Sequence, residues 1–186
     1  MNLLSHLRTQ ARANRLANHR LHGAMAALSE AEFQAPRTGF FPSLAATLGH
    51  ILWVDRYYLD CLHGLADART RNLHWQPPGT LPALADEQAR SDQRFIALMD
   101  AADEAALART VEMPRAQHVQ REPLANVVAH LLNHQVHHRG QAHAMLSGTA
   151  VAPPQLDEFL MSSEGHLRRS DMAALGWTEA QLFPSG

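Results

Sequence analysis

The chain has 186 residues, 46% hydrophobic and 18% charged, with a formal net charge of −2. That length suits one domain able to bury a core, and the near-neutral charge argues against a protein gripping nucleic acid through phosphate contacts. The single cysteine, Cys61, excludes an intrachain disulfide and argues against a cysteine-based zinc site.

The opening Met-Asn-Leu-Leu-Ser-His-Leu-Arg lacks a signal-peptide apolar core, and no apolar run reaches membrane-span length. The expectation is a soluble cytoplasmic protein with no membrane partner. Leu4, Leu7, Ala11, Leu16 and Leu21 recur at helical period, predicting a first helix over 3–28. Pro36, Gly39 and Pro42 mark a loop. Ser43 then serves as N-cap of a second helix running to about His63, with Leu44, Leu48, Ile51, Leu52, Tyr58 and Leu62 apolar and Gly64 as the stop. A long connection through Trp75, Pro77, Pro78, Gly79 and Pro82 leads to a third helix over 84–100, with Phe95, Leu98 and Met99 on its buried side. Thr110-Val111-Glu112-Met113 alternates, as a short strand or hairpin does. Glu122-Pro123 opens a fourth helix, with proline in its first turn, ending near Ser147 at Gly148. After Pro153-Pro154, a short helix over 157–162 and a further turn at Trp177-Thr178-Glu179 are expected. Four long helices joined by mixed loops predict an all-α antiparallel bundle.

Histidine is the outlier, with 13 residues, five of them between His130 and His143. In His130-Leu-Leu-Asn-His134-Gln-Val-His137-His138-Arg139-Gly140-Gln141, residues His130, His134 and His138 rise along one helix face. A His-x-x-x-His pair such as His134 and His138 lets two imidazoles converge on one metal ion, although by spacing alone His130 can replace either. A third ligand must come from another helix. His50 is the candidate, since it lies in an apolar stretch where Leu52 and Trp53 offer a shell against bulk water. His137 is rotated about 100° from His138, toward solvent or a neighbouring helix; His143, His118, His74, His63 and His166 read as ordinary surface or loop residues. Gln135 stands where a metalloprotease carries its glutamate base, which disfavours peptide hydrolysis by that route. No Glu-x-x-His pairs support a di-iron bundle.

The string Asn133-His134-Gln135-Val136-His137-His138-Arg139-Gly140-Gln141 resembles the signature of the DinB/YfiT-like superfamily, the damage-inducible four-helix metalloproteins and not the DNA polymerase of the same name. Gly49-His50-Ile51-Leu52-Trp53-Val54-Asp55 resembles its second-helix motif, and Ala152-Pro153-Pro154-Gln155-Leu156-Asp157 agrees too. The resemblance implies a bundle of up-down-down-up order over residues 1–165, with 166–186 a C-terminal extension packed on or trailing from it, and commonly a homodimer. It implies a divalent metal on His50, His134 and His138, zinc or nickel before iron or manganese, and so selects His134 and His138 over His130. Relatives of the family include thiol-dependent isomerases and transferases. This points to a small-molecule thiol or electrophile as partner, with a low-molecular-weight thiol as cosubstrate.

Three further residues are assigned to the pocket as cofactor contacts, each beside a structural alternative. Tyr57, seven residues after His50, returns to nearly the same helix face and either lines the pocket or is a core tyrosine. Arg139 binds an anionic substrate or, the preferred reading, pairs with Asp55 or another carboxylate to lock helices. Gln141, three after His138, touches the site or the residues behind it. Gly140 is expected to allow close helix approach, and Cys61 to be a small core residue. The functions in competition are metal-dependent thiol transfer or isomerisation, a non-catalytic metal-binding stress protein, and a metal-dependent hydrolase.

Overall fold

Helix α1 (Leu3–Met25) starts at Asn2, whose side-chain oxygen accepts the Ser5 N–H at 2.8 Å in a computed structural model that describes residues 2–184. A short α2 (Glu30–Gln34) follows, closed by a reciprocal capping box between Ser29 and Glu32. Ser43 caps α3 (Leu44–Leu62) as its position predicts, accepting from the Ala46 N–H at 3.1 Å. Gly64 ends it with φ of 74°, a left-handed conformation that glycine adopts without strain. The connection then holds a second short helix, α4 (Ala68–Leu73), before α5 (Leu81–Ala101), which begins three residues earlier than predicted because Thr80 takes the cap position and Pro82 falls in the first turn. The alternating segment is an antiparallel hairpin, β1 (Thr110–Pro114) with β2 (Val119–Pro123), in the register Val111 opposite Glu122 and Met113 opposite Gln120. Pro123 ends β2 and stands just before α6 (Leu124–Leu146), so it precedes the first turn.

Helix directions follow from which residues meet. Arg8 of α1 donates to the Met99 and Ala102 carbonyls at the far end of α5, and Asn18 reaches Asp92, so α1 and α5 are antiparallel. Asp55 meets Gln88 and Asp60 meets Arg94, so α3 and α5 are parallel. His50 meets His134 while Tyr58 stacks near His130, so α3 and α6 are antiparallel. The ring runs α1–α5–α3–α6, with α1 diagonal to α3 and α5 diagonal to α6. The order is up-down-down-up.

The segment expected as a helix over 157–162 is instead a set of turns with one tight helical turn at Ser162–Glu164. The Phe159 and Met161 carbonyls turn to the buried Arg168 guanidinium, both at 2.8 Å, and of the two only Met161 also takes a backbone amide, that of Glu164 at 2.9 Å in the tight turn. Arg168 also holds Glu179 at 2.6 Å, at the start of α8 (Glu179–Leu182). With α7 (Arg169–Leu175), this segment packs Phe159, Met172 and Leu182 onto Ala13, Leu16 and Ala17 of α1. Beyond residue 165 the extension packs on α1 through Met172 and Leu182.

Two apolar clusters fill the bundle, one around Leu7, Leu59, Phe95 and Leu131, the other around Leu21, Leu52, Leu84 and Ala142. Between them every long helix contributes buried polar residues. Asp92 accepts from Asn18 at 3.1 Å and Gln88 at 3.1 Å; Gln88 and Gln135 both donate to one oxygen of Asp55. Arg139 donates to the side-chain oxygens of Asn14 and Asn18 at 2.7 and 3.0 Å. The direct carboxylate partner expected for Arg139 is thus replaced by two asparagines, both of which bond Asp92. Burial dominates the ionisation of this layer: it lifts Asp55 to about 8 and Asp92 to about 6, and lowers Arg139 to about 10. Among the described residues the second Asp55 oxygen and Gln135 Oε1 are enclosed without partners, which a neutral carboxyl with its own O–H tolerates better than a carboxylate.

Asp55 is therefore titrated by folding. Its folded pKa lies above the unfolded one, so its contribution to stability is complete below about pH 4 and is lost as pH rises toward 8. Relative to the variant Asp55→Asn, the wild-type protein should lose stability with rising pH, by up to about 1.4 kcal/mol per pH unit in that window. Urea denaturation from pH 5 to 8 measures this, and a flat difference would mean that Asp55 is ionised throughout.

Candidate metal centre

His50 sits in the second turn of α3 and faces His134 and His138, one turn apart on α6. One ring nitrogen from each lies within 4.8 Å of the other two. The Nε2 atoms of His50 and His134 are 3.1 Å apart. Two imidazoles bound tetrahedrally to one zinc-sized ion hold their nitrogens about 3.3 Å apart, so the pair already stands near ligand spacing. His138 packs edge-on against His50, ring centroids 4.7 Å apart, and 4.5 Å from His134.

The electrostatics favour neutral rings with free lone pairs. Burial, then the neighbouring His138 and His50, lowers His134 to about 3; burial and His138 lower His50 too. Gln141 sets the third ring. Its Oε1 accepts from His138 Nδ1 at 2.8 Å, leaving Nε2 as that ring's lone pair, while its amide donates to His137 Nε2 at 3.2 Å. His134 Nδ1 is enclosed without a partner among the described residues. Among the described residues no cysteine or carboxylate joins the cluster, so the donor set is three imidazoles.

Phe41 caps the cluster. Its ring lies 4.4 Å from His50 and 5.5 Å from His138, and Phe40, 78% exposed, packs edge-on against it. Gly39 lets this loop press on α6, since a Cβ there would sit 2.2 Å from the Met145 side-chain terminus.

Other residues singled out by the sequence lie elsewhere. The Tyr57 hydroxyl donates to the Pro114 carbonyl at 2.7 Å, tying α3 to the hairpin, and burial pushes its pKa up. The Arg139 guanidinium lies in the polar layer between helices. Gly140 is exposed with nothing within 4 Å of a built Cβ, so close helix approach is not its role. Trp53 donates to the Asn72 carbonyl and Leu52 belongs to the core, so the aromatic cover of the site is Phe41 instead. His130 stacks near Tyr58 and stands outside the triad, its ring centroid 6.5 Å from His134. His143 is half-buried and bonds the Pro154 carbonyl, beyond the surface role expected of it. Cys61 is buried with its thiol pKa raised by desolvation. The role of Phe41 had no sequence signal: Pro36, Gly39 and Pro42 announce a loop, but not where its ring lands.

The DinB family model matches residues 3–169. The chain belongs to the DinB family. A crystal structure of a DinB-like protein from Bacillus cereus ATCC 10987 matches this DinB chain with a TM-score of 0.58 at 16% identity, covering 75% of this chain and 89% of that one, which is a likeness of fold. No curated protein matches it. No helix among the described residues is long and apolar enough to cross a membrane.

The Gln141 contact has a direct spectroscopic consequence. In metal-free protein, His138 should be the Nδ1–H tautomer, read from its ring ¹⁵N shifts, and Gln141→Leu should move it toward a tautomer mixture. Identical shifts in both proteins would remove Gln141 as the orienting group.

Proposed function

We propose that this DinB protein holds one divalent metal ion on His50, His134 and His138 and uses it to transfer a small-molecule thiol to an electrophile. The convergence of three imidazoles from α3 and α6 carries the reading. An all-imidazole set suits zinc and nickel, with iron also accommodated. A bound ion would lower the pKa of a coordinated thiol, so that the nucleophilic thiolate prevails at neutral pH.

The chain's own groups serve that chemistry. Gln141 holds the His138 ring with its free nitrogen available. Phe41 keeps water from one side of the cluster. Cys61, buried and hard to ionise, is unsuited to be the nucleophile, which leaves that role to an external thiol. Thiol transfer is preferred over hydrolysis because, among the described residues, no carboxylate stands in the cluster to take a proton from water. Net charge near zero suits a small-molecule partner better than nucleic acid. A homodimer is part of the same proposal by family likeness.

Elemental analysis of untagged protein should find about one metal per chain, absent from a variant with His50, His134 and His138 all changed to alanine. A folded protein that stays empty after reconstitution with zinc and nickel overturns the site. Gln141→Leu should weaken metal affinity about ten- to hundredfold through the lost support of His138. In nickel- or cobalt-loaded protein, added 2-mercaptoethanol should produce a thiolate charge-transfer band. A spectrum blind to thiol would instead mark a closed, non-catalytic metal site.

A further inference from the structure

Below the triad, one turn back along α6, a cavity of about 400 Å³ opens between α3, the hairpin and α6, its polar wall formed by Tyr58, Arg115, Gln120, Glu122, Asn126 and His130. Arg115 leaves β1 at the hairpin turn and folds back over the Tyr57 and Tyr58 rings, its guanidinium carbon 5.2 and 5.5 Å from their centroids. Its Nη2 donates to the Tyr58 hydroxyl and to Gln120 Oε1, both at 3.0 Å, and its Nε to the same Gln120 oxygen at 3.3 Å. These partners are neutral. Among the described residues no carboxylate lies within ion-pair distance of Arg115, and its Nη1 makes no hydrogen bond. With Nε and Nη2 committed, the half-buried guanidinium keeps Nη1 to donate from the cavity wall, which suits one charge-assisted contact to a carboxylate oxygen. The Glu122 carboxylate, on the same wall, is bonded by the Asn126 amide at 3.4 Å; it opposes any anion in the cavity, so a ligand of charge −1 is favoured over one of charge −2.

The cavity also lies near the triad. His130 lines it, stacks 5.0 Å from Tyr58, and stands one helical turn, about 6 Å of rise, from His134. No triad histidine lines the cavity; His130 is the lining residue nearest to them along α6.

We propose that this cavity is the substrate-anchoring subsite of the DinB centre, and that Arg115, held by Tyr58 and Gln120, selects small molecules carrying one carboxylate. The inference rests on the proposed metal-thiol reading for its placement, but its own observable is independent of the metal. The carboxylate belongs either to the thiol or to the electrophile, and the probes separate them. Calorimetric titration would compare 3-mercaptopropionate with 3-mercaptopropionamide, and cinnamate with cinnamamide, on wild type, Arg115→Met and Arg115→Lys, each with and without bound metal.

For one pair or both, wild type should prefer the acid over its amide by about tenfold, the usual worth of a charge-assisted contact. The preference should vanish in R115M and shrink in R115K, which keeps the charge without the hydrogen bonds that hold it against Tyr58 and Gln120. The pair that shows it identifies which reactant carries the carboxylate. Removing the metal should leave the acid-to-amide ratio intact while weakening both thiol probes. Should the chain bind no metal, the ratio still reads the subsite alone. Melting temperatures of both variants check the fold, and R115K keeps the guanidinium's charge where R115M loses packing on the tyrosines. Equal affinity for acid and amide in both pairs, or a preference that survives in R115M, overturns the proposal.

Discussion

Hydrogen bonds among Asn14, Asn18, Asp55, Gln88, Asp92, Gln135 and Arg139 pass through the middle of the bundle and touch all four long helices. Apolar packing above and below this layer is tolerant, since leucines on one helix can slide to meet leucines on the next. The polar layer is not: a shift of one turn would leave buried donors and acceptors without partners, each costing about 1–3 kcal/mol. Asp55 lies five residues after His50, and Gln135 directly follows His134. The same bond that sets α3 against α6 therefore brings the three imidazoles to one level. Register in the core and geometry at the seam are one constraint seen from two sides.

That constraint explains why the site divides its duties between elements. The helices supply the imidazoles, whose spacing cannot drift once the layer is formed. The loops supply what surrounds them: the segment before α3 lays Phe41 over two of the rings, and the hairpin before α6 brings Arg115 to the neighbouring cavity. Changes in those loops alter shape and charge around the centre without disturbing the bundle, a common division in proteins whose chemistry sits on a rigid frame.

The long helices were legible because their signals are local. Ser43 and Gly64 bracket α3, and the four-residue spacing of His134 and His138 names a helix face directly. His50 rested on its apolar neighbourhood and the family-like motif around it, since nothing local says which helix faces which. The short helices α2, α4 and α7 escaped notice because five to seven residues hold too little periodicity to read, although the Ser29–Glu32 capping box was visible in principle. The 157–162 segment misled because its carbonyls answer to Arg168, which lies outside the segment. Arg139 showed the same limit: a buried cation does need partners, but long-range packing decided that they are asparagines 125 and 121 residues away.

The ring order has a meaning for how the chain comes together. Because α1 lies diagonal to α3, the first two long helices do not pair as a hairpin, and α1 packs instead on α5 and α6. During synthesis, α1 would emerge with its apolar stripe uncovered and remain so until α5 has left the ribosome. Its contacts then close loops of roughly eighty residues, as between Asn14 and Asp92. An up-down bundle escapes this wait by folding neighbours pairwise. Here the amino-terminal helix depends on the later half of the chain, and an interrupted chain ending before α5 would expose the surface that chaperones hold.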